Sequence, residues 1–144
     1  LAAGALIPAM AILNARLGRT LGFALHAPVL LFAIGLIVTI AFALGLTQAW
    51  PDLRQLANAR LADYSGGFIV AFYVITATLL APRIGVGNFI VLAVSGQILS
   101  SALIDHFGLF GAATRPLDAL RIVGMTLVVI GIVLTQLPIS KQET

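Results

Sequence analysis

Between Arg83 and Asp105 the chain runs for 21 residues, Ile84 to Ile104, without a formal charge, and near the middle of that run stands one amide, Gln97. A helix of about 20 apolar residues is what the hydrocarbon core of a bilayer requires. An amide at its centre meets no water there, so it must be satisfied by protein or by a ligand. A chain with such a segment folds in lipid, and Gln97 is its most informative side chain.

Composition agrees. Of 144 residues, 60% are hydrophobic and 9% charged, whereas a soluble domain carries about 25% charged residues. So few charges cannot cover a globular surface in water, and the mean hydropathy is +1.11. The net charge of +3 is spread over single residues. It gives no footing for nucleic acid and fits anionic headgroups at the ends of apolar segments. With no cysteine, disulfides, thiolate metal sites and a Cys nucleophile are excluded. The chain opens on Leu, and its first stretch has neither a basic leader nor a clear cleavage site; an N-terminal extension would complete the short first segment.

Charge-free stretches divide the chain into five candidate spans, at about 1–17, 28–46, 65–81, 86–104 and 122–136. Pro28 suits a first helical turn, where its missing N–H is tolerated, and the Ala81-Pro82 step and Pro138 close the third and fifth spans. The segments are too long for membrane strands and do not alternate polar with apolar. The expected fold is all-α: a polytopic membrane helix bundle of about five transmembrane helices forming a single transmembrane domain over 1–144. Small residues, Gly67, Ala71 and Thr78 on the third helix and Gly124, Gly131 and Thr135 on the fifth, mark faces where helices approach closely in lipid. They serve contacts within the chain or between subunits alike. Trp50 and Tyr64 read as interfacial belt residues.

With five spans, Arg16, Arg19, Arg83 and Lys141 fall on one side of the membrane and Arg54, Arg60, Arg115 and Arg121 on the other. The tie leaves the positive-inside rule without a preferred orientation. Dual insertion into an antiparallel homodimer is one consequence; the other is that residues outside this sequence break the tie.

Polar residues inside the spans carry the functional expectation. At 100° per residue, Gln97, Ser100, Ser101 and Asp105 fall within an arc of about 140° on the fourth helix. Such a stripe faces a bundle interior or an aqueous cavity; alternatively Gln97 bonds to a neighbouring helix and the serines bond to their own backbone. Asp105 sits at the unfavourable end of the helix macrodipole and His106 at the favourable one. Asp105 therefore wants a donor, which Arg115 or Arg121 offers across the next loop. The pair is read either as a structural latch or, through His106, as a proton-sensitive gate. Asn14 offers a hydrogen bond across helices, Pro8 a kink upstream of it, and Tyr73 a hydroxyl at mid-span. No acidic residue lies mid-membrane, and no metal-ligand cluster, cofactor motif or Ser-His-Asp arrangement is present, which argues against an enzyme.

These motifs carry a family resemblance. PAMAILNARLG, Pro8 to Gly18, followed by the Pro28 helix, resembles the opening of the YdcZ-type family of short bacterial inner-membrane proteins. GQILSSALIDHFGLFG, Gly96 to Gly111, resembles that family's GQ…DHFG stretch. Gly66-Gly67, Ala81 to Gly85 and Arg121 to Gly124 fit as well. The family is placed in the drug/metabolite transporter superfamily, so the resemblance implies a multi-pass inner-membrane exporter, a bundle of about five helices related to half of the ten-helix transporters, and action as a dimer. Members often show Gln where Met10 stands here, and the small multidrug-resistance cousins use a first-helix glutamate that this chain lacks.

The resulting expectation is a secondary exporter of a small organic solute, working by alternating access in a homodimer without a cofactor or metal. Gln97, Asn14, Tyr73 and Ser101 line its pathway, and Asp105, His106, Arg115 and Arg121 form a gate or latch. The rival is a non-transporting membrane scaffold or accessory subunit, whose polar residues only lock helices together.

Overall fold

The computed structural model describes residues 2–47, 50 and 52–136; Pro138 and Lys141 lie outside them. Six helices follow in order: α1 (Ala2–Thr20), α2 (His26–Thr47), the short α3 (Leu53–Asn58), α4 (Ser65–Ile84), α5 (Val86–Phe107) and α6 (Ala119–Gln136). A 3-10 turn over Leu61–Tyr64 precedes α4, and another over Leu109–Gly111 precedes α6. No strand occurs among the described residues. Apolar surroundings leave the backbone no partner but itself, so long apolar segments become helices. The chain is an all-α multi-pass membrane protein.

Three stretches are long and apolar enough to cross a membrane: His26–Thr47, Leu61–Ile84 and Val86–Phe107. The 22 residues of α2 extend about 33 Å at 1.5 Å per residue, slightly more than a hydrocarbon core of about 30 Å. Apolar residues occur on every face of α2, and only Ala27 and Pro28 are buried. Ile37 is 67% and Phe42 68% exposed. In water that surface would aggregate; in lipid it is ordinary. Its hydroxyls do not disturb this, because Thr39 Oγ1 donates to the Gly35 carbonyl at 2.8 Å and Thr47 Oγ1 to that of Ala43 at 2.7 Å. A hydroxyl turned onto its own helix exposes little unsatisfied polarity to acyl chains.

The chain forms two compact units, Leu1–Val86 and Gly87–Thr144. In the first, α1, α2 and α4 pack pairwise. The buried stripe of α1 is Ala11, Asn14 and Gly18, and that of α4 is Val74, Ala77, Thr78 and Ala81. Both follow helical spacing and consist mostly of small residues, the means by which helices approach closely when lipid removes the hydrophobic drive. No large side chain is fully buried among the described residues. The expected stripe of Gly67, Ala71 and Thr78 is only partly used: Gly67 is exposed, Ala71 half-buried and Thr78 buried. The burial of α4 is concentrated one to two turns further along, where its C-terminal half packs.

Helix ends follow local chemistry. α1 continues through Pro8 and ends at Thr20, beyond the apolar run, because Arg16 and Arg19 are good helix formers whose long stems tolerate an interface. α4 likewise passes the Ala81-Pro82 step and reaches Ile84. Burial of Ala77, Thr78 and Ala81 holds that last turn against the proline. The stop is Gly85, at φ +91°, a conformation that residues with a Cβ rarely adopt. One residue thus separates α4 from α5.

Candidate functional site

The second unit contains the most elaborate polar cluster, built on the end of α5, the loop after it and the start of α6. The carboxylate of Asp105 accepts a hydrogen bond from Arg121 Nη2 in an ion pair. Arg121 Nη1 also donates to the Arg115 carbonyl at 3.3 Å. The Arg115 N–H in turn donates to the Asp105 carbonyl at 2.8 Å, and the Leu117 N–H to His106 Nδ1 at 3.2 Å. These bonds satisfy a carbonyl that the end of α5 leaves without a helical partner and draw the loop back onto that helix. Gly108 makes the turn at φ +61°, and a Cβ there would lie 2.7 Å from Thr114 Oγ1. Asp118 closes the cluster as N-cap of α6, its Oδ1 accepting the Arg121 N–H at 2.7 Å.

Both charges of the ion pair sit at the unfavourable end of their own helix, the carboxylate at a C-terminus and the guanidinium in a first turn. Each offsets the other's misplacement. The side chains are 30% and 32% exposed, so solvent screens the pair in part. Removing one partner should destabilise the protein by about 1–2 kcal/mol, between the values for exposed and buried pairs. Asp105→Ala is therefore expected to lower the thermal midpoint in detergent, and Asp105→Ala with Arg121→Ala to restore much of the loss. Strictly additive losses would show that the two charges are not coupled.

Of the two arginines that the sequence offers to Asp105, the structure pairs Arg121; Arg115 contributes its backbone and its side chain is exposed. His106 accepts a loop N–H, which requires Nδ1 to carry no hydrogen, and its ring meets Phe107 edge-on with centroids 4.8 Å apart. Asp118 was missed by sequence reasoning, although an Asp three residues ahead of Arg121 at a helix start is a capping signal.

The residues expected along a pathway divide between the units. In the first, Asn14 is buried on α1, 6% exposed, and Tyr73 is half-buried on α4. In the second, Gln97, Ser100 and Ser101 are all exposed on α5. Ser101 Oγ donates to the Ile98 carbonyl at 2.9 Å, and Ser95 Oγ donates to the Val91 carbonyl. A cleft of about 260 Å³ lies between α5 and α6, lined by Leu99, Leu117, Ile122, Met125, Thr126 and Val129. Its one hydroxyl, on Thr126, is turned onto the Ile122 carbonyl. The cleft therefore offers shape and apolar contact rather than hydrogen bonds.

All four described aspartates are committed at helix ends. Asp52 accepts the Arg54 N–H, Asp63 the Arg60 N–H and Asp118 the Arg121 N–H, while Asp105 holds the Arg121 guanidinium. No group of three or more His, Cys, Asp or Glu positioned for a metal occurs among the described residues.

Long apolar helices with lipid-compatible surfaces, close small-residue packing and polar side chains confined to a few helix positions define a multi-pass membrane protein. The sequence pattern of the family described as "Putative inner membrane exporter, YdcZ" matches residues 1–134. The chain belongs to that family, which places it in the inner membrane and makes it a transport protein by descent. Comparison with curated proteins and with solved structures finds no match.

Proposed function

We propose that the chain is one subunit of a homodimeric secondary exporter, with the path for a small organic solute running between the two copies. The family assignment over residues 1–134 carries the transport reading. The dimer reading is supported by Gln97, Ser100 and Ser101, which lie exposed within a helix long and apolar enough to span the bilayer. An amide facing acyl chains is unfavourable by several kcal/mol if nothing bonds to it. A second copy laid against this face of α5 removes that penalty and encloses a polar path.

In this reading Gln97 and Ser101 of α5 offer hydrogen bonds to the solute, and the Asp105–Arg121 cluster with His106 and Arg115 steadies the end of that helix; Asn14 and Tyr73, on α1 and α4 of the other unit, are candidates for the same role. Because the described aspartates are engaged at helix ends, a neutral or weakly polar solute is easier to accommodate than a multivalent cation. Rocking of helices about a midplane site gives alternating access, and an antiparallel pair of copies supplies the inverted repeat that such carriers use.

Absence of cysteine makes the proposal directly testable. Ser100→Cys in membranes should be joined by a short bismaleimide, whose reach of about 10 Å suits a residue about one turn from the middle of α5, into a species of twice the 15.0 kDa chain mass. Phe42→Cys, on the apolar surface of α2, should not. Failure of Ser100→Cys to cross-link, with labelling by a lipid-soluble maleimide instead, would place this face against lipid. For transport itself, a thermal-shift screen of organic solutes identifies a ligand, and proteoliposomes loaded with it should show counterflow exchange. Flux without counterflow points to a channel, and no flux at all points to an accessory subunit.

A further inference from the structure

At the far end of the first unit, the C-terminal ends of α1 and α4 meet the turn that leads into α2. A cavity of about 360 Å³ opens there, lined among others by Gly18 and Arg19 of α1, by Gly22 and Ala24 of the turn, and by Thr78 and Arg83 of α4. Its location explains its charge. α1 and α4 end together, so the basic residues that terminate each are brought to one rim although 64 positions apart in the sequence.

No carboxylate among the described residues pairs with either guanidinium. Among the described residues the one ion pair is that of Arg121 with Asp105, which lies in the other unit. Within the first unit the described carboxylates are Asp52 and Asp63, each accepting a backbone N–H near its own helix start; neither lines the cavity. His26 at the start of α2 has its ring against Phe23, and Arg16 is exposed one turn before Arg19; neither lines the cavity. Two like charges on one cavity repel unless an anion lies between them. At Gly22, on the turn, nothing lies within 4 Å of where a Cβ would stand, which leaves room for a bulky group.

We propose that this cavity binds a phosphate group, held by Arg19 and Arg83, and that its usual source is the headgroup of an anionic phospholipid. Guanidinium forks match phosphate oxygens in bidentate geometry. Basic pockets between membrane helices take anionic headgroups in this way. The cavity lies where the apolar runs of α1 and α4 give way to arginine, at headgroup level. The exposed apolar surface of α2 lies beside it and suits the acyl chains. A free phosphate lacks that last contribution, and the comparison between the two sources follows from it.

The test uses the whole chain in a neutral detergent. Phosphatidylglycerol, phosphatidylcholine of the same acyl chains, and inorganic phosphate are each titrated against the wild type and against Arg19→Gln/Arg83→Gln. Binding is followed by native mass spectrometry and by the thermal midpoint. Phosphatidylglycerol should bind at least about tenfold more tightly than phosphatidylcholine, and the double variant should lose that preference. Inorganic phosphate that competes with the lipid and depends on the same arginines would confirm the phosphate site and assign it a soluble occupant. Arg16→Gln, outside the cavity, should bind like wild type. If Arg19→Gln/Arg83→Gln loses its helical circular dichroism, Arg19→Lys/Arg83→Lys takes its place and should bind more weakly for want of the fork. Undiminished phosphatidylglycerol preference in a folded double variant overturns the proposal.

Discussion

Replacing Gln97 by Leu should abolish most solute export while leaving the helices folded and the two copies associated. The substitution removes one amide from the exposed face of α5 and adds apolar surface that lipid accepts readily. If Gln97 contacts the moving solute, loss of a hydrogen bond of about 1.5 kcal/mol lowers flux at least about tenfold. If Gln97 only ties the helix to another, the same change lowers the thermal midpoint or the dimer fraction, and flux per folded dimer is unaltered. Flux in proteoliposomes, cross-linking yield and circular dichroism on one preparation separate the outcomes. A variant that is unstable yet fully active per dimer removes Gln97 from the pathway and favours the scaffold reading.

Gly18→Ala should destabilise the first unit by about 1–2 kcal/mol. Two opposing effects decide the sign. Alanine in a helix is favoured over glycine by about 0.5–1 kcal/mol, whereas overpacking a filled contact costs about 1–3 kcal/mol. At Gly18 an added Cβ would lie 2.9 Å from Ala24 Cα and 3.1 Å from its carbonyl oxygen. Both are backbone atoms of the turn into α2, so relief requires the turn itself to shift. Gly35→Ala is the matched control: nothing lies within 4 Å of its Cβ position, so only the propensity gain should remain. Thermal unfolding of the two variants in one detergent should move in opposite directions. A Gly18→Ala midpoint at or above wild type would mean that α1 and the turn are not packed as described.

Helical class and the lipid environment were legible because both depend on long averages, the absence of charge and of alternation, that no single residue overturns. Helix ends were less so. Arg16 and Arg19 were expected to lie at or beyond the end of the first span, yet they are helical, since a charged side chain marks the edge of the apolar layer rather than the end of hydrogen bonding. Pro82 was expected to stop α4, but tertiary packing of Ala77, Thr78 and Ala81 outweighs one missing N–H, and the stop passes to Gly85. The partner of Asp105 was narrowed to two arginines by the dipole argument. Choosing between them needed the path of the loop, which depends on Gly108 at positive φ and on the Asp118 cap. The shared rim of Arg19 and Arg83 was visible only as a common side of the membrane. Proximity across 64 residues is a tertiary property that periodicity does not contain.

The close approach of α1, α2 and α4 through glycine, alanine and threonine has a consequence for how this protein tolerates change. Ordinary cores are mapped by truncation, and at the buried alanines of this seam truncation has nothing to remove. Vulnerability runs the other way: at Gly18 an added methyl meets the backbone of Ala24, and extra bulk at the buried alanines beside it overpacks the contact. Natural variants of this chain should therefore drift freely in bulk on the outer faces, while at positions 11, 18, 77 and 81 they should be bounded from above.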